Sequence, residues 1–349
     1  MTGLAPYVGI EETINAKGKN IFSFNPADYQ ESFAENGYVL IKNGLDANFL
    51  DAAIEQAEKQ RIDQQEINNC FFKGKKRQYL YEFEEWDFYN SGLETLAKTA
   101  SLPLDKATLC ERHIKVYEPD AKPNVPAHKD RIAAQVTVGI PLLIPEGSHI
   151  VLWPEDHLEI NSLNTTALWR TNLDEDDLPQ NILKDIEPVR IFAEPGDVVM
   201  FRGNSIHHER ENPANARILY LKLNGMRLDP MGEDPSTLSE QETSQQILAQ
   251  LDDQKLLDCI VEVSPRLEKI SRHYTRLYWT EVIQAYVADE KEFTVSELEL
   301  EVFKKAEDQK TVREVISRLG IPEPEHINHV PMIRRLTKLK GLNIIAPEF

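Results

Sequence analysis

The sequence predicts a mostly β core with flanking N-terminal helices, followed by an α-rich C-terminal region. Three patterns support this fold class. Apolar residues recur at three- and four-residue spacing near the N-terminus, and the same helical spacing returns after about residue 290. Between about residues 107 and 224, short apolar runs alternate with Pro, Gly, Asn and Asp. That alternation is typical of an antiparallel barrel or sandwich.

The N-terminal part reads as helix, strand, helix. A helix over residues 28–36 is expected to end at Gly37, and the apolar run Tyr38–Ile41 has the length of a buried strand. Asp46 can cap a second helix that continues to about Gln60. The apolar residues of that second helix lie on one face, which predicts packing against the core.

The central part predicts the strands of the β core. The clearest runs are His113–Tyr117, Gln135–Ile144, His149–Trp153, Val189–Phe192, Val198–Phe201 and Ile218–Leu223. Between His157 and Pro188 lies an insert with an acidic cluster, Asp174–Asp177. We interpret this insert as a solvated surface loop, with a lid over a site as the alternative.

Three segments are predicted along the chain: a β domain over residues 1–228, a linker and helical segment over 229–290, and a C-terminal domain over 291–349. Helices are expected over residues 245–288. In the last segment, helical spacing predicts helices near 295–303, 311–319 and 332–340, and residues 342–346 could form a strand.

Charge and composition limit the classes of partner. The formal net charge is −19, and residues 291–349 hold ten basic and ten acidic side chains, so the excess lies in residues 1–290. This balance argues against a nucleic-acid partner, because binding to phosphates depends on excess Lys and Arg. No apolar run approaches the roughly 18 residues of a membrane span, and no signal peptide is recognised, so a cytoplasmic protein is expected. The three cysteines lack the paired spacing of a zinc site.

The motif His128-Lys-Asp130 is the strongest indication of chemistry. On an extended chain, side chains two residues apart point to the same face, so both could bind one metal. A third ligand is expected from the doublet His207-His208, about eighty residues later. Two imidazoles and one carboxylate form the facial triad of non-haem Fe(II) oxygenases. His207 and His208 both stay open as this third ligand.

Arg217 begins an apolar run, where a buried guanidinium would be costly without an anionic partner. A dicarboxylate cosubstrate would supply that partner, and the planar fork of Arg suits bidentate binding of the distal carboxylate of 2-oxoglutarate. Further pocket candidates lie on the predicted strands or beside the motif: Arg112, His113, Lys115, Arg131, Trp153, Tyr220 and Lys222. For each of these, an ordinary strand side chain is the preferred interpretation.

These residues, with Gln30–Leu45 and Pro195–Phe201, resemble the phytanoyl-CoA dioxygenase-like branch of the Fe(II)/2-oxoglutarate oxygenase superfamily over residues 28–225. The resemblance implies a double-stranded β-helix, that is, a cupin-like jelly roll, and a dioxygenase that uses Fe(II), 2-oxoglutarate and O2. It assigns metal binding to His128, Asp130 and His207, and 2-oxoglutarate binding to Arg217. His207 is favoured over His208 because its spacing of ten residues to Arg217 matches that of other 2-oxoglutarate oxygenases, and both histidines stay open. Residues 300–345 resemble a winged-helix domain.

The function expected from this resemblance is oxidation, most simply hydroxylation, of an unactivated C–H bond in an amino-acid, peptide or natural-product substrate, with succinate and CO2 as coproducts. Two alternatives stay open. One is a cupin-like metalloenzyme without an oxidative role, such as an isomerase, which would have no need for Arg217. The other is a non-catalytic binding protein that uses the winged-helix unit. A homodimer through the C-terminal region is the oligomeric expectation.

Overall fold

The computed structural model describes residues 20–60, 72–73, 77–83, 86–123, 127–154, 159–163, 165–277, 279–288 and 292–346 of the 349-residue chain. These residues form two compact units. The first ends at Arg227, and the second begins at Leu228. Among them, no helix is long and apolar enough to cross a bilayer. Cys70 and His157 lie outside the described residues.

The first unit combines β-strands with helices. Its strands are β1 (Tyr38–Ile41), β2 (Phe72–Lys73), β3 (Arg77–Leu80), β4 (Thr108–Val116), β5 (Lys122–Pro123), β6 (Val136–Leu143), β7 (His149–Trp153), β8 (Val189–Ile191), β9 (Val198–Phe201), β10 (His207–Glu211) and β11 (Arg217–Asn224). Its helices are α1 (Ala27–Asn36), α2 (Ala47–Gln60), α3 (Trp86–Thr99), α4 (Thr166–Thr171) and α5 (Pro179–Ile182). Short 3-10 turns cover Leu104–Lys106 and Glu175–Asp177.

Two antiparallel sheets make the core of this unit. The larger has the strand order β1-β9-β6-β11-β4-β3, and the smaller has the order β10-β7-β8. An isolated bridge between His128 and His208 extends the edge of the smaller sheet. From β6 to β11 the chain passes repeatedly between the two sheets. The prediction of a mostly β, antiparallel fold is confirmed, and this strand order is consistent with the predicted jelly roll.

Side-chain alternation gives the sheets an outer and an inner face. Ile150 and Leu152 of the smaller sheet pack against Val199 and Phe201 of the larger one, so these four side chains mark the inner face. The outer face of the larger sheet packs against side chains of the N-terminal helices, and together they form the main hydrophobic core of this unit.

The N-terminal helices form where the sequence predicts them. Gly37 ends α1 in the left-handed conformation, with φ of 74°, and its N–H donates to the Phe33 carbonyl at 2.9 Å. The Asp46 carboxylate accepts from the backbone N–H of Asn48 at 2.9 Å and of Phe49 at 3.2 Å, which caps α2. Both helices bury apolar side chains in the main core.

The second unit combines helices with two small sheets. Its helices are α6 (Pro235–Gln250), α7 (Asp253–Leu256), α8 (Glu297–Lys305), α9 (Val312–Arg318) and α10 (Val330–Lys338), with a 3-10 turn over Glu323–His329. Its strands are β12 (Ile260–Val263), β13 (Leu267–Thr275), β14 (Thr280–Val287), β15 (Phe293–Val295), β16 (Lys310–Thr311) and β17 (Leu342–Ile345). The sheets have the orders β16-β12-β17 and β13-β14-β15.

The prediction of helices over residues 245–288 is wrong beyond Leu256. Strand β12 pairs with β17, more than eighty residues later, and β13 and β14 form a hairpin. Pairing with so distant a strand cannot be read from local sequence. The helices and final strand predicted near the C-terminus are present, and the winged-helix-like character of residues 291–349 stays a prediction.

Candidate metal site

His128 and Asp130 lie on the segment before β6 that pairs with the start of β10. His128 exchanges two backbone hydrogen bonds with His208, at 3.1 and 3.0 Å, which fixes these two residues side by side. The Asp130 N–H donates to the Gly203 carbonyl at 2.8 Å. Because His128 and Asp130 are two residues apart, both side chains point toward the same site, as the motif predicts.

Strand β10 decides which histidine of the doublet joins them. In its register, His208 stands opposite Leu152, whose side chain belongs to the inner face. His207 stands opposite Trp153 on the other face, and its ring centroid lies 5.3 Å from that of Trp169. In this structure His208, and not the expected His207, lies beside His128 and Asp130, because neighbouring strand residues point to opposite faces.

His128, Asp130 and His208 offer ligand atoms that all lie within 4.8 Å of one another. The Nε2 of His128 is 3.9 Å from Asp130 Oδ1, and the Nε2 of His208 is 3.6 Å from Asp130 Oδ2. His208 Nδ1 lies 2.9 Å from the Ile206 carbonyl, and since a carbonyl can only accept, Nδ1 carries the proton. The lone pair of His208 Nε2 is thereby free for a metal, so the donor set fits a two-histidine, one-carboxylate site.

The charges of the cluster suit metal binding. Burial lowers the pKa of both imidazoles, and for His128 the neighbouring His208 lowers it further, so both rings are neutral ligands near pH 7. Burial alone would raise the pKa of Asp130, but the neighbouring charges, Lys222 first among them, outweigh burial and hold this pKa far below its ordinary value. The site therefore presents one carboxylate anion and two neutral imidazoles.

A hydrogen bond and the close approach of a glycine fix the orientation of the Asp130 side chain. The Thr137 hydroxyl donates to Asp130 Oδ2 at 2.7 Å. Gly203 lies so close that an added Cβ would come within 2.2 Å of Thr137 Oγ1 and 2.9 Å of Asp130 Oδ2. Glycine at position 203 thus allows the backbone to approach the carboxylate, which no larger residue permits without displacement.

A charged network surrounds the cluster on the inner face. The Lys222 ammonium donates to Asp130 at 2.8 Å and lies 3.4 Å from Glu111, whose other oxygen is 3.1 Å from Arg131. His113 lies 3.8 Å from Glu111. Burial alone would raise the pKa of Glu111, but Lys222 and Arg131 lower it to about 2. Of the further pocket candidates, these three residues, Lys222, Arg131 and His113, lie beside the metal-binding cluster or in its network.

Other candidates are placed elsewhere. Lys115 and Tyr220 face the barrel interior, with the Lys115 ammonium 4.9 Å from the centroid of the Tyr220 ring. Arg112 is turned away and pairs with Glu82 at 2.7 Å. Trp153 lies on the outer face of the smaller sheet.

The assignment of Arg217 to cosubstrate binding is not supported by its position. In β11, residues Ile218, Tyr220 and Lys222 face inward. Arg217 directly precedes Ile218, so it faces outward. Its guanidinium forms an ion pair with Glu58 of α2, on the outer side of the larger sheet. The inward position ten residues after His208 is occupied by Ile218, which is fully buried. The sequence could not show which residues of β11 face inward, because apolar residues occur on both faces of this strand.

The insert lies on the outer face of the smaller sheet instead of forming an extended loop. Leu183 packs there against Val151 and Trp153. Asn161 donates to the Asp130 carbonyl at 2.8 Å, and Thr166 donates to the Lys129 carbonyl at 2.9 Å. The insert thus supports the segment that carries the metal ligands, while its acidic cluster forms an exposed turn.

Arg210 was missed by sequence reasoning. It lies two residues after His208 on the same face of β10, and its side chain is 7% exposed. The segment His-His-Glu-Arg-Glu has no apolar residue, so it did not read as a strand. Strict alternation of side chains, counted from His208, is the signal that could have placed Arg210 on the inner face.

No protein-family model matches the sequence, and no curated protein matches it. Similar solved structures include a Pseudomonas putida prolyl-4-hydroxylase, at 13% identity and a TM-score of 0.39, covering 57% of this chain and 98% of that chain. The α-ketoglutarate-dependent carbocyclase SnoK from nogalamycin biosynthesis has 17% identity and a TM-score of 0.42, with 56% and 82% covered. EctD from S. alaskensis, solved with 2-oxoglutarate and 5-hydroxyectoine, has 15% identity and a TM-score of 0.41, with 58% and 77% covered. The strand order and site geometry of the chain itself carry the functional assignment below.

Proposed function

We propose that this protein is an Fe(II)- and 2-oxoglutarate-dependent oxygenase. The observation that carries the proposal is the convergence of His128, Asp130 and His208 on the inner face of an antiparallel barrel. Two neutral imidazoles and one carboxylate are the donor set of non-haem Fe(II) oxygenases, which leave other metal positions open. When bound, iron would supply a place where a 2-oxo acid and dioxygen can meet.

The residues of the chain prepare this site. His128, Asp130 and His208 would hold the metal, and the Ile206 carbonyl keeps His208 in the tautomer that leaves Nε2 free. Thr137 orients the carboxylate of Asp130 by a hydrogen bond. Water exclusion comes from the apolar inner-face residues of β7 and β9.

For the substrate, we propose only a class of compound. Oxidation of a C–H bond in an amino-acid, peptide or natural-product substrate fits a site of this donor set, with succinate and CO2 as coproducts. The phytanoyl-CoA dioxygenase-like branch, a winged-helix-like role for the second unit, a homodimer and a cytoplasmic location stay predictions.

One observation favours a second candidate, a cupin-like metalloenzyme without an oxidative role. Arg217 pairs with Glu58 outside the barrel, so the residue expected to distinguish an oxygenase from an isomerase does not face the site. An isomerase would bind the same metal but would have no requirement for 2-oxoglutarate. Binding of the cosubstrate therefore separates the two candidates.

The test is anaerobic addition of Fe(II) and 2-oxoglutarate, followed by absorption spectroscopy in the visible range. Wild type is expected to give the charge-transfer band of a chelated 2-oxo acid, and His208→Ala to give none because a ligand is lost. His207→Ala is the matched control, since this neighbouring histidine points away, and it should keep the band. Loss of the band in His207→Ala with retention in His208→Ala would reverse the ligand assignment. Metal binding by wild type without any band would favour the non-oxidative candidate.

A further inference from the structure

The barrel interior carries a second group of polar side chains beyond the metal ligands. Arg210 on β10, Tyr220 on β11 and Lys115 on β4 face one another there. The Arg210 Nε donates to the Tyr220 hydroxyl at 3.4 Å, and the Lys115 ammonium lies 4.9 Å from the Tyr220 ring centroid. Two cations thus flank one phenol, and we call these three residues the interior cation group.

The cations of this group lack a carboxylate partner within the described part of the chain. Arg210 is 7% exposed, and its contacts are with the interior tyrosines. A guanidinium has five N–H donors, so a single long hydrogen bond to a phenol leaves most of them unused. Lys115 likewise forms no ion pair within 4 Å among the described residues. Burial of a cation without a counter-charge is costly, which indicates that an anion completes the group.

Other cations of the same unit are neutralised by the protein itself. Lys222 lies between the carboxylates of Asp130 and Glu111, and Arg217 pairs with Glu58. Among the described residues, neither Arg210 nor Lys115 has a carboxylate within 4 Å, whereas Lys222 and Arg217 both do. This contrast points to a ligand of opposite charge.

Strand geometry places the group at a useful distance from the metal ligands. His208 and Arg210 lie two residues apart on one face of β10, so their Cα atoms are about 7 Å apart. Lys222 and Tyr220 have the same spacing on β11. A five-carbon dicarboxylate that chelates a metal through its 2-oxo acid end has its other carboxylate at a comparable distance.

We propose that Arg210, Lys115 and Tyr220 form the binding site for the distal carboxylate of 2-oxoglutarate, in place of Arg217. The proposal rests on the proposed function and adds to it the residues that select the cosubstrate. The planar fork of Arg210 and the ammonium of Lys115 match the two oxygens of a carboxylate, and the Tyr220 hydroxyl is a further donor. The carboxylate would come from the cosubstrate and not from the substrate to be oxidised.

The experiment compares two 2-oxo acids by anaerobic titration of the Fe(II)-loaded protein, with the visible band as the measure of binding. 2-Oxoglutarate has a distal carboxylate and 2-oxobutyrate has none. Arg210→Met should raise the Kd for 2-oxoglutarate about ten- to hundredfold, the usual effect of losing a charge-assisted hydrogen bond. The Kd for 2-oxobutyrate should not change, and Lys115→Met should show the same selective loss with a smaller size. Arg217→Met, the matched control on the outer face, should bind both acids as wild type does.

Each result leads to a separate conclusion. Unchanged 2-oxoglutarate binding in both Arg210→Met and Lys115→Met, or a selective loss in Arg217→Met instead, overturns the interior site while leaving the oxygenase proposal intact. Wild type that binds Fe(II) but neither acid overturns the oxygenase proposal itself. If Arg210→Met fails to bind Co(II), which would indicate a damaged fold, Lys115→Met and Tyr220→Phe decide by the same comparison of the two acids.

Discussion

The inner and outer faces of the barrel carry the same residue types, histidine and arginine, in different environments. On the inner face, His208 belongs to the cluster proposed to bind a metal, and Arg210 lies among buried tyrosines with no carboxylate of the described residues within 4 Å. On the outer face, His207 packs on Trp169, and Arg217 pairs with a carboxylate of a helix. The role of a side chain here depends on which face of its strand it occupies. Neighbouring residues of a strand look equivalent in the sequence, but they point to opposite faces in the structure.

The largest expected effect comes from Asp130, and its neighbour Lys129 provides the control. Asp130→Ala removes the carboxylate ligand, so metal affinity should fall by more than the roughly 10- to 100-fold typical of losing a group that merely orients a ligand. Lys129→Met is the outer-face control, since Lys129 is buried against Trp169, with 5.7 Å from its ammonium to the ring. Calorimetric titration with Co(II) measures both. Equal loss of affinity in the two variants would contradict the division into faces.

A smaller effect is expected at Gly203, which lies beside the Asp130 carboxylate. Gly203→Ala places a methyl group 2.2 Å from Thr137 Oγ1, so it should cost about 1–3 kcal/mol of stability and lower Co(II) affinity by displacing Asp130. Gly139→Ala is the control, because its added Cβ would lie 3.5 Å from the nearest atom, in the Tyr220 ring, an ordinary contact. Thermal unfolding and Co(II) titration of the pair would show the difference. Normal metal affinity in Gly203→Ala would mean that Asp130 does not depend on this close approach.

The smallest effect is expected at the outer ion pair. Glu58 is about half exposed, with 48% of its side-chain area accessible, and Arg217 has 22%. Glu58→Gln should therefore change the free energy of unfolding by about 0–1 kcal/mol, because solvent screens exposed pairs. Chemical denaturation measures this change, and metal affinity should equal that of wild type. A large loss of metal or 2-oxoglutarate affinity in Glu58→Gln would connect Arg217 to the site after all.

Much of the fold could be predicted from local sequence. The runs at His149–Trp153 and Val198–Phe201 match strands β7 and β9 residue for residue, because both have continuous apolar runs bounded by turn residues. Strand β10 could not be predicted, since its side chains are polar on both faces. The same absence of apolar residues left the choice between His207 and His208 to a spacing rule, which favoured His207, whereas the structure places His208 beside His128 and Asp130.

The sequence alone determined that the core is antiparallel β with helices before it, and that a His-x-Asp motif places two ligands on one face. Both follow from periodicity, which is a local property of the chain. Only the tertiary structure decided that His208 lies beside His128 and Asp130, that Arg217 points outward and that Arg210 lies inside. Those three outcomes depend on the register between β10, β11 and their distant partners, and a shift of one residue would exchange every inward side chain for an outward one.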